Sequence, residues 1–138
     1  MNEIALPRPR IGLLPTGLRM YWDQFPGLRE RGLSLCERLR QRLSEIGDVL
    51  APDLVDTADL AVAAGAFFRE NPIDILLVFP LGYTTGMCVV PAIADLRVPI
   101  RLLNAHADAA YDLRTADTAD YLYHEGVCCI PEYAGALV

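Results

Sequence analysis

The chain has 138 residues and 53% hydrophobic content, which suits one domain that buries about 70% of the surface of its unfolded chain. Its formal net charge is −6 and all twelve basic residues are arginine, so nucleic-acid binding, Schiff-base chemistry and a phosphate-binding lysine are not expected. No apolar run approaches the ~20 residues of a membrane-spanning helix, so no membrane partner is expected.

The first third of the chain predicts a strand, an aromatic loop and a long helix. Residues 11–14 form a short apolar run that ends in Pro-Thr-Gly, and residues 18–27 carry a methionine and three aromatic side chains in sequence typical of a loop. Apolar residues at spacings of three, four and seven then predict a helix over residues 28–46. We expect Gly47 to close this helix in a left-handed conformation.

The middle of the chain predicts a second strand, a helix and a central strand. Residues 49–55 are apolar, but Pro52 and Asp53 favour an edge position in the sheet. Capping side chains at 56–59 predict a helix over residues 58–70, which Asn-Pro ends. The run Ile-Asp-Ile-Leu-Leu-Val-Phe at residues 73–79 predicts the central strand.

The last third predicts two more helices, a fourth strand and an apolar terminal segment. Residues 86–96 read as a helix that Pro91 kinks or that begins later, and residues 98–103 as the fourth strand. Residues 107–113 suggest an extended or turn segment, followed by a helix over residues 118–126 with Asp117 or Thr118 as its cap. The apolar segment 127–138 is either a helix docked on the sheet or the edge of a domain that belongs to a larger protein.

Alternation of apolar strands with helices predicts an α/β domain whose parallel sheet is covered on both faces. In such sheets the loops at the carboxyl ends of the strands form the ligand crevice. The four cysteines have no metal-ligand spacing, and no export signal is evident. We therefore expect a reduced, cytoplasmic protein without structural zinc.

Few residues offer catalytic chemistry. His106 follows the fourth strand and is either a ligand contact or a packing residue, whereas His124 is expected to be structural or to face a partner. Asp108 and Asp112 lie near the expected crevice, where loop hydrogen bonding is favoured over acid–base work. Cys88 is either a thiolate at a helix start, as in racemases, or an inert core thiol.

The strongest local signal is the aromatic segment after the first strand. Arg19, Tyr21, Trp22 and Gln24 combine flat apolar faces with hydrogen-bond donors. That combination suits a sugar, whose C–H face stacks on a ring while its hydroxyl groups form hydrogen bonds. It equally suits a hydrophobic anchor to a neighbouring domain or subunit.

Three segments together resemble the N-terminal domain of the L-arabinose/L-fucose isomerase-like family. They are Ile-Gly-Leu-Leu-Pro-Thr-Gly at 11–17 with Tyr21 and Trp22, Leu-Val-Phe-Pro-Leu-Gly-Tyr-Thr-Thr at 77–85, and Pro-Ile-Arg-Leu-Leu-Asn at 99–104. Residues 120–136 are also similar to the helix that closes that domain. The chain departs from the arabinose isomerases in a longer first loop and in Tyr83-Thr84, where those enzymes have a His-Thr pair.

The resemblance implies a flavodoxin-like (Rossmann-like) three-layer sandwich with a four- or five-stranded parallel sheet. It implies that residues 1–138 form the first domain of a larger, manganese-dependent aldose–ketose isomerase. The metal ligands and catalytic groups of such enzymes lie in later domains, so no catalytic or metal residue and no cofactor is expected within this chain. We therefore expect it to be inactive alone and to enclose a sugar against a neighbouring subunit or later domains.

Carried over by position, the family's sugar contacts correspond to eight residues of this chain. These are Arg19, Met20, Tyr21, Trp22, Tyr83, Thr84, Asn104 and His106. An alternative interpretation is a stand-alone sugar-binding or small-ligand module that uses Trp22, Tyr83 and His106.

Overall fold

The computed structural model describes residues 7–110 and 112–137. Within these residues the sheet has four strands, β1 (Arg10–Thr16), β2 (Asp48–Leu50), β3 (Ile75–Pro80) and β4 (Ile100–Leu102). All strands are parallel, in the order β2-β1-β3-β4. The prediction of an α/β domain with a parallel sheet is confirmed.

Alternating side chains of the two central strands build the core on both faces of the sheet. In the register of β1 with β3, Leu13 lies opposite Leu77 and Leu14 opposite Val78. Leu13 and Leu77 belong to one apolar cluster, whereas Leu14 and Val78 belong to the other. All four are buried, and this is why the strands read as continuous apolar runs rather than as alternating ones.

Six α-helices in the described part of the chain cover the sheet. They are α1 (Met20–Gln24), α2 (Leu28–Leu43), α3 (Ala58–Glu70), α4 (Val90–Ile93), α5 (Thr118–Tyr123) and α6 (Gly126–Ala136). Side chains of α1 and α2 pack with one core cluster, and those of α3, α4 and α6 with the other. The result is a flavodoxin-like three-layer sandwich.

Two helix boundaries show how local chemistry acts. The helix predicted over residues 58–70 has those bounds, because Thr57 caps it by accepting the Leu60 N–H at 3.4 Å. Gly47 does not adopt the predicted left-handed conformation; Gly27, before α2, has a φ of 85° instead. Gly47 is required for space, since a Cβ there would lie 2.6 Å from the Pro9 carbonyl oxygen.

The second strand is shorter than the predicted span of residues 49–55. Pairing with β1 ends at Leu50, and the chain rejoins the sheet only through an isolated bridge between Thr16 and Val55. β2 lies at the edge of the sheet, and Pro52 follows it outside the paired residues, so the N–H that proline lacks removes no bond between strands. The predicted edge position is confirmed.

Two other predicted elements are also corrected. The aromatic segment 18–27 is not a loop throughout, because residues 20–24 form α1. Residues 86–96 do not form one helix: a 3₁₀ turn (Gly86–Cys88) precedes α4, which places Pro91 in its first turn. Proline is tolerated there because the N–H it lacks has no helical partner, so the later start is the correct alternative.

α6 docks across the carboxyl end of the sheet. Its Tyr133 side chain is fully buried among residues of the α3 and α4 layer. This confirms a docked helix within the segment 127–138, whereas membership of a larger protein stays a prediction. Within the described residues, no helix combines the length and apolar character needed to cross a bilayer.

Candidate functional site

The strand order places the expected crevice between β1 and β3. From β1 the chain moves outward to β2 and then returns to the other side for β3 and β4. In open parallel sheets such a reversal leaves a gap at the carboxyl ends of the two central strands, where ligands bind. Thr16 and Pro80 end these strands at that point.

This crevice is filled by the protein itself. The Tyr133 and Thr16 hydroxyl groups share a hydrogen bond of 2.9 Å, and the Thr84 hydroxyl donates to the Gly17 carbonyl at 2.7 Å. The Thr84 N–H donates to the Cys129 sulfur at 3.3 Å. Thr84 is fully buried, so the structure places this predicted sugar contact beneath the surface and not on it.

Glu132 of α6 forms a second set of bonds at the rim. One carboxylate oxygen accepts the Tyr83 hydroxyl at 3.2 Å, and the other accepts the Gly86 N–H at 3.0 Å. The negative charge of Glu132 raises the pKa of Tyr83 above its usual value. Tyr83 therefore remains a neutral phenol that holds its ring at the rim.

A buried carboxylate fixes α1 beside this rim. Asp56 accepts two bonds from the Arg19 guanidinium, at 2.7 and 3.1 Å, and one from the Trp22 indole N–H at 2.8 Å. The bonds from Arg19 raise the pKa of its guanidinium, which stays charged. Every oxygen of Asp56 thus has a partner, although the residue is only 6% exposed.

Trp22 supports α1 and does not point outward. A Cβ on Gly17 would lie 2.5 Å from its indole Cζ2, so glycine is needed for the ring to pack on the β1 loop. The predicted sugar contact Trp22 is therefore a supporting residue that is partly buried against the α2 layer.

The outward surface here, which we call the α1 platform, comprises Arg19, Met20, Tyr21 and Tyr83. The Tyr21 and Tyr83 rings lie 6.4 Å apart between centroids and are tilted by 53°. Met20 is 59% exposed beside them. The structure thus brings four of the eight predicted contacts together on one shallow, largely aromatic face.

The other two predicted contacts, Asn104 and His106, lie beyond β4 in a second place. Asn104 is seated against the start of α6, because a Cβ on Gly126 would lie 2.6 Å from its Oδ1. The His106 ring stacks on the His124 ring at 5.6 Å with an interplanar angle of 7°. The two histidines of the chain therefore lie together.

His124 was expected to be structural or partner-facing, and the structure places it at this second location. Its Nδ1 donates to the Asp120 carbonyl oxygen at 2.7 Å, since a carbonyl can only accept. Its Nε2 lies 3.5 Å from a carboxylate oxygen of Asp108. The sequence predicts His106 after the fourth strand and His124 within the helix over residues 118–126, and neither position signals that the two rings meet.

A pocket of about 500 Å³ opens beside these rings, and we call it the histidine pocket. Its polar lining includes His106, Asp108, His124 and Glu125, and its apolar lining includes Leu113 and Val127. The volume falls within the range of small-molecule sites.

Two other candidates from the sequence have structural roles. Cys88 is 1% exposed, and burial raises the pKa of its thiol, which is the opposite of what a reactive thiolate requires. Asp112 accepts three contacts from Arg114, which lower its pKa, so it serves loop hydrogen bonding as predicted. All four cysteines are free thiols.

No group of three or more His, Cys, Asp or Glu side chains in the described ranges is arranged to hold a metal ion. Comparison of the sequence with known proteins gave no match: no protein-family model fits the chain, and no curated protein matches it at a significant level. The resemblance to sugar isomerases therefore stays a prediction.

Proposed function

We propose that this domain encloses a sugar for a metal-dependent aldose–ketose isomerase of the L-arabinose/L-fucose type and supplies no catalytic residue. In this proposal the α1 platform covers the sugar, and a neighbouring subunit or later domains provide the reaction centre. The proposal assigns the manganese to those other parts, as the resemblance to the isomerase family implies.

The observation that carries the proposal is the contrast between a filled crevice and a partly exposed aromatic face, since Tyr21 and Tyr83 are half-buried. Tyr133 and Thr84 occupy the position where a flavodoxin-like domain would otherwise hold a ligand. A ligand at this end of the central strands would therefore contact the α1 platform and not the filled crevice. A shallow platform contacts only one side of a ligand. Another domain or subunit would cover the other side.

The platform has chemistry suited to one face of a sugar. The Tyr21 and Tyr83 rings offer apolar faces against which C–H groups stack. The Arg19 side chain is 62% exposed even though two of its N–H groups bind Asp56, so its other donors are free to bind sugar hydroxyl groups. The exposed thioether of Met20 extends the apolar area toward a partner.

NMR titration of the isotope-labelled chain with L-arabinose and L-fucose tests this proposal. One-sided contact predicts weak binding, with a Kd on the order of millimolar, and shifts centred on Tyr21 and Tyr83. Replacing both tyrosines by alanine should abolish the shifts. The control is Val62→Ala, which trims an exposed apolar side chain on α3. Shifts that survive the double replacement, or sugar isomerisation by the chain alone with manganese, would contradict the proposal.

A second candidate is a stand-alone small-ligand module, which the histidine pocket favours. Its volume of about 500 Å³ is formed by residues of this chain without a partner. A monomer that binds a small ligand there with a submillimolar Kd, unchanged by the platform substitutions, would support this candidate over the first.

A further inference from the structure

The histidine pocket contains a buried carboxylate whose charge is not neutralised by a basic side chain. Glu125 is 7% exposed and lines the pocket. Within residues 7–110 and 112–137, none of the ion pairs involves its carboxylate. Burying an ionised carboxylate is costly unless a partner compensates.

The protein compensates Glu125 only in part. Glu125 is the N-cap residue of α6, where the helix dipole favours a negative charge, but its side chain makes no capping hydrogen bond. The carboxylate of Glu125 raises the pKa of the nearby Cys128 thiol. A thiol is a weak donor, so the carboxylate retains capacity for a stronger one.

A second carboxylate adds to the negative charge of the pocket. Asp108 lines the same space with its side chain 51% exposed, and no arginine is among the lining residues. His106 and His124 add two flat rings, and Leu113 and Val127 add apolar surface. The pocket therefore has negatively charged carboxylates on one wall and apolar or aromatic side chains on the others.

We propose that the histidine pocket binds a small organic cation: a protonated amine attached to an apolar or aromatic body. The ammonium group would donate to Glu125, with Asp108 as a second, more exposed acceptor. The body would lie against Leu113, Val127 and the histidine rings. A bare divalent cation is disfavoured, because the described side chains offer no cluster of three ligands for it. This inference deepens the second candidate function and does not depend on the first.

Calorimetry with phenethylammonium and its neutral analogue 2-phenylethanol tests the charge requirement on the unmodified chain. The two molecules share one body, so the proposal predicts at least about tenfold tighter binding of the cation, which is the size expected when a charged hydrogen bond is lost. Equal affinity for both molecules would overturn the proposal, and so would no binding of either. Manganese chloride serves as the metal probe, and tighter binding of that ion than of the amine would also overturn it.

Substitution locates the site. Glu125→Gln keeps the shape and removes the charge, and we expect it to weaken phenethylammonium binding at least about tenfold. The matched control Glu70→Gln removes an exposed carboxylate at the end of α3 and should leave binding unchanged. Equal weakening in both variants would overturn the assignment to Glu125. If the sugar causes no shifts at the α1 platform but the amine still binds, only the isomerase proposal is contradicted. If the sugar causes those shifts but the amine does not bind, only the organic-cation proposal is contradicted.

Discussion

The α1 platform and the histidine pocket lie at the same end of the sheet but treat a buried carboxylate in opposite ways. Asp56 beneath the platform accepts three hydrogen bonds from Arg19 and Trp22. Glu125 in the pocket is equally buried and has no basic partner among the described residues. A saturated carboxylate fixes the shape of a surface, whereas one without a basic partner leaves that interaction open to a cationic ligand.

The largest effect should follow from removing the saturated carboxylate. Asp56→Ala leaves the Trp22 N–H without its acceptor and releases α1, and we expect the free energy of unfolding to fall by about 2–4 kcal/mol. Urea denaturation measures this change. Asp53→Ala, which removes an exposed carboxylate three residues earlier, is the control. A loss below about 0.5 kcal/mol would show that α1 does not depend on Asp56.

The stability of the protein should also respond to alkaline pH, through one buried thiol in each core cluster. Burial raises the pKa of Cys129 on α6 to about 11, and that of Cys36 on α2 to about 11, from an ordinary value of 9.0. The unfolded chain therefore releases these protons first, so stability is complete below pH 9 and declines as pH rises toward 11. The slope is at most about 1.4 kcal/mol per pH unit for each thiol.

Thermal melting between pH 7.5 and 10.5 checks this slope. Cys129→Ala should melt lower at pH 7.5, because it trims a fully buried side chain, yet lose less stability on going to pH 10.5 than the unmodified chain does. The same pH slope in both proteins would contradict the assignment of the slope to Cys129.

The smallest effect should come from the single hydrogen bond that closes the crevice. Tyr133→Phe removes the bond to Thr16 but keeps the buried ring, and we expect a loss of about 1–2 kcal/mol. Tyr21→Phe, which alters a phenol of the α1 platform, should change stability by less than about 0.5 kcal/mol. Equal losses in the two variants would mean that the Thr16 bond does not help to hold α6.

The layers of the fold were predictable because each depends on local pattern. Apolar runs predict β1 and β3, and the Thr57 cap together with Pro72 predicts both ends of α3. α1 was not predictable as a helix because five residues are too few to show a periodicity, and Asp56, more than thirty residues away, holds it in place.

The candidate site was predictable only in part, for a related reason. Tyr21 and Tyr83 were both expected at the crevice, and the sheet brings them together. The burial of Thr84 depends on α6, whose path across the sheet is a tertiary feature. The stacking of His106 on His124 and the burial of Glu125 depend on the same packing. No spacing in the sequence encodes these contacts.

One NMR experiment tests the account most directly, by titrating the same labelled chain first with L-arabinose and then with phenethylammonium. The account predicts two separate sets of shifts, the sugar acting around Tyr21 and Tyr83 and the amine around Glu125 and Val127. Both ligands moving one common set of resonances, or the sugar moving none at the platform, would contradict the division of this edge into two sites.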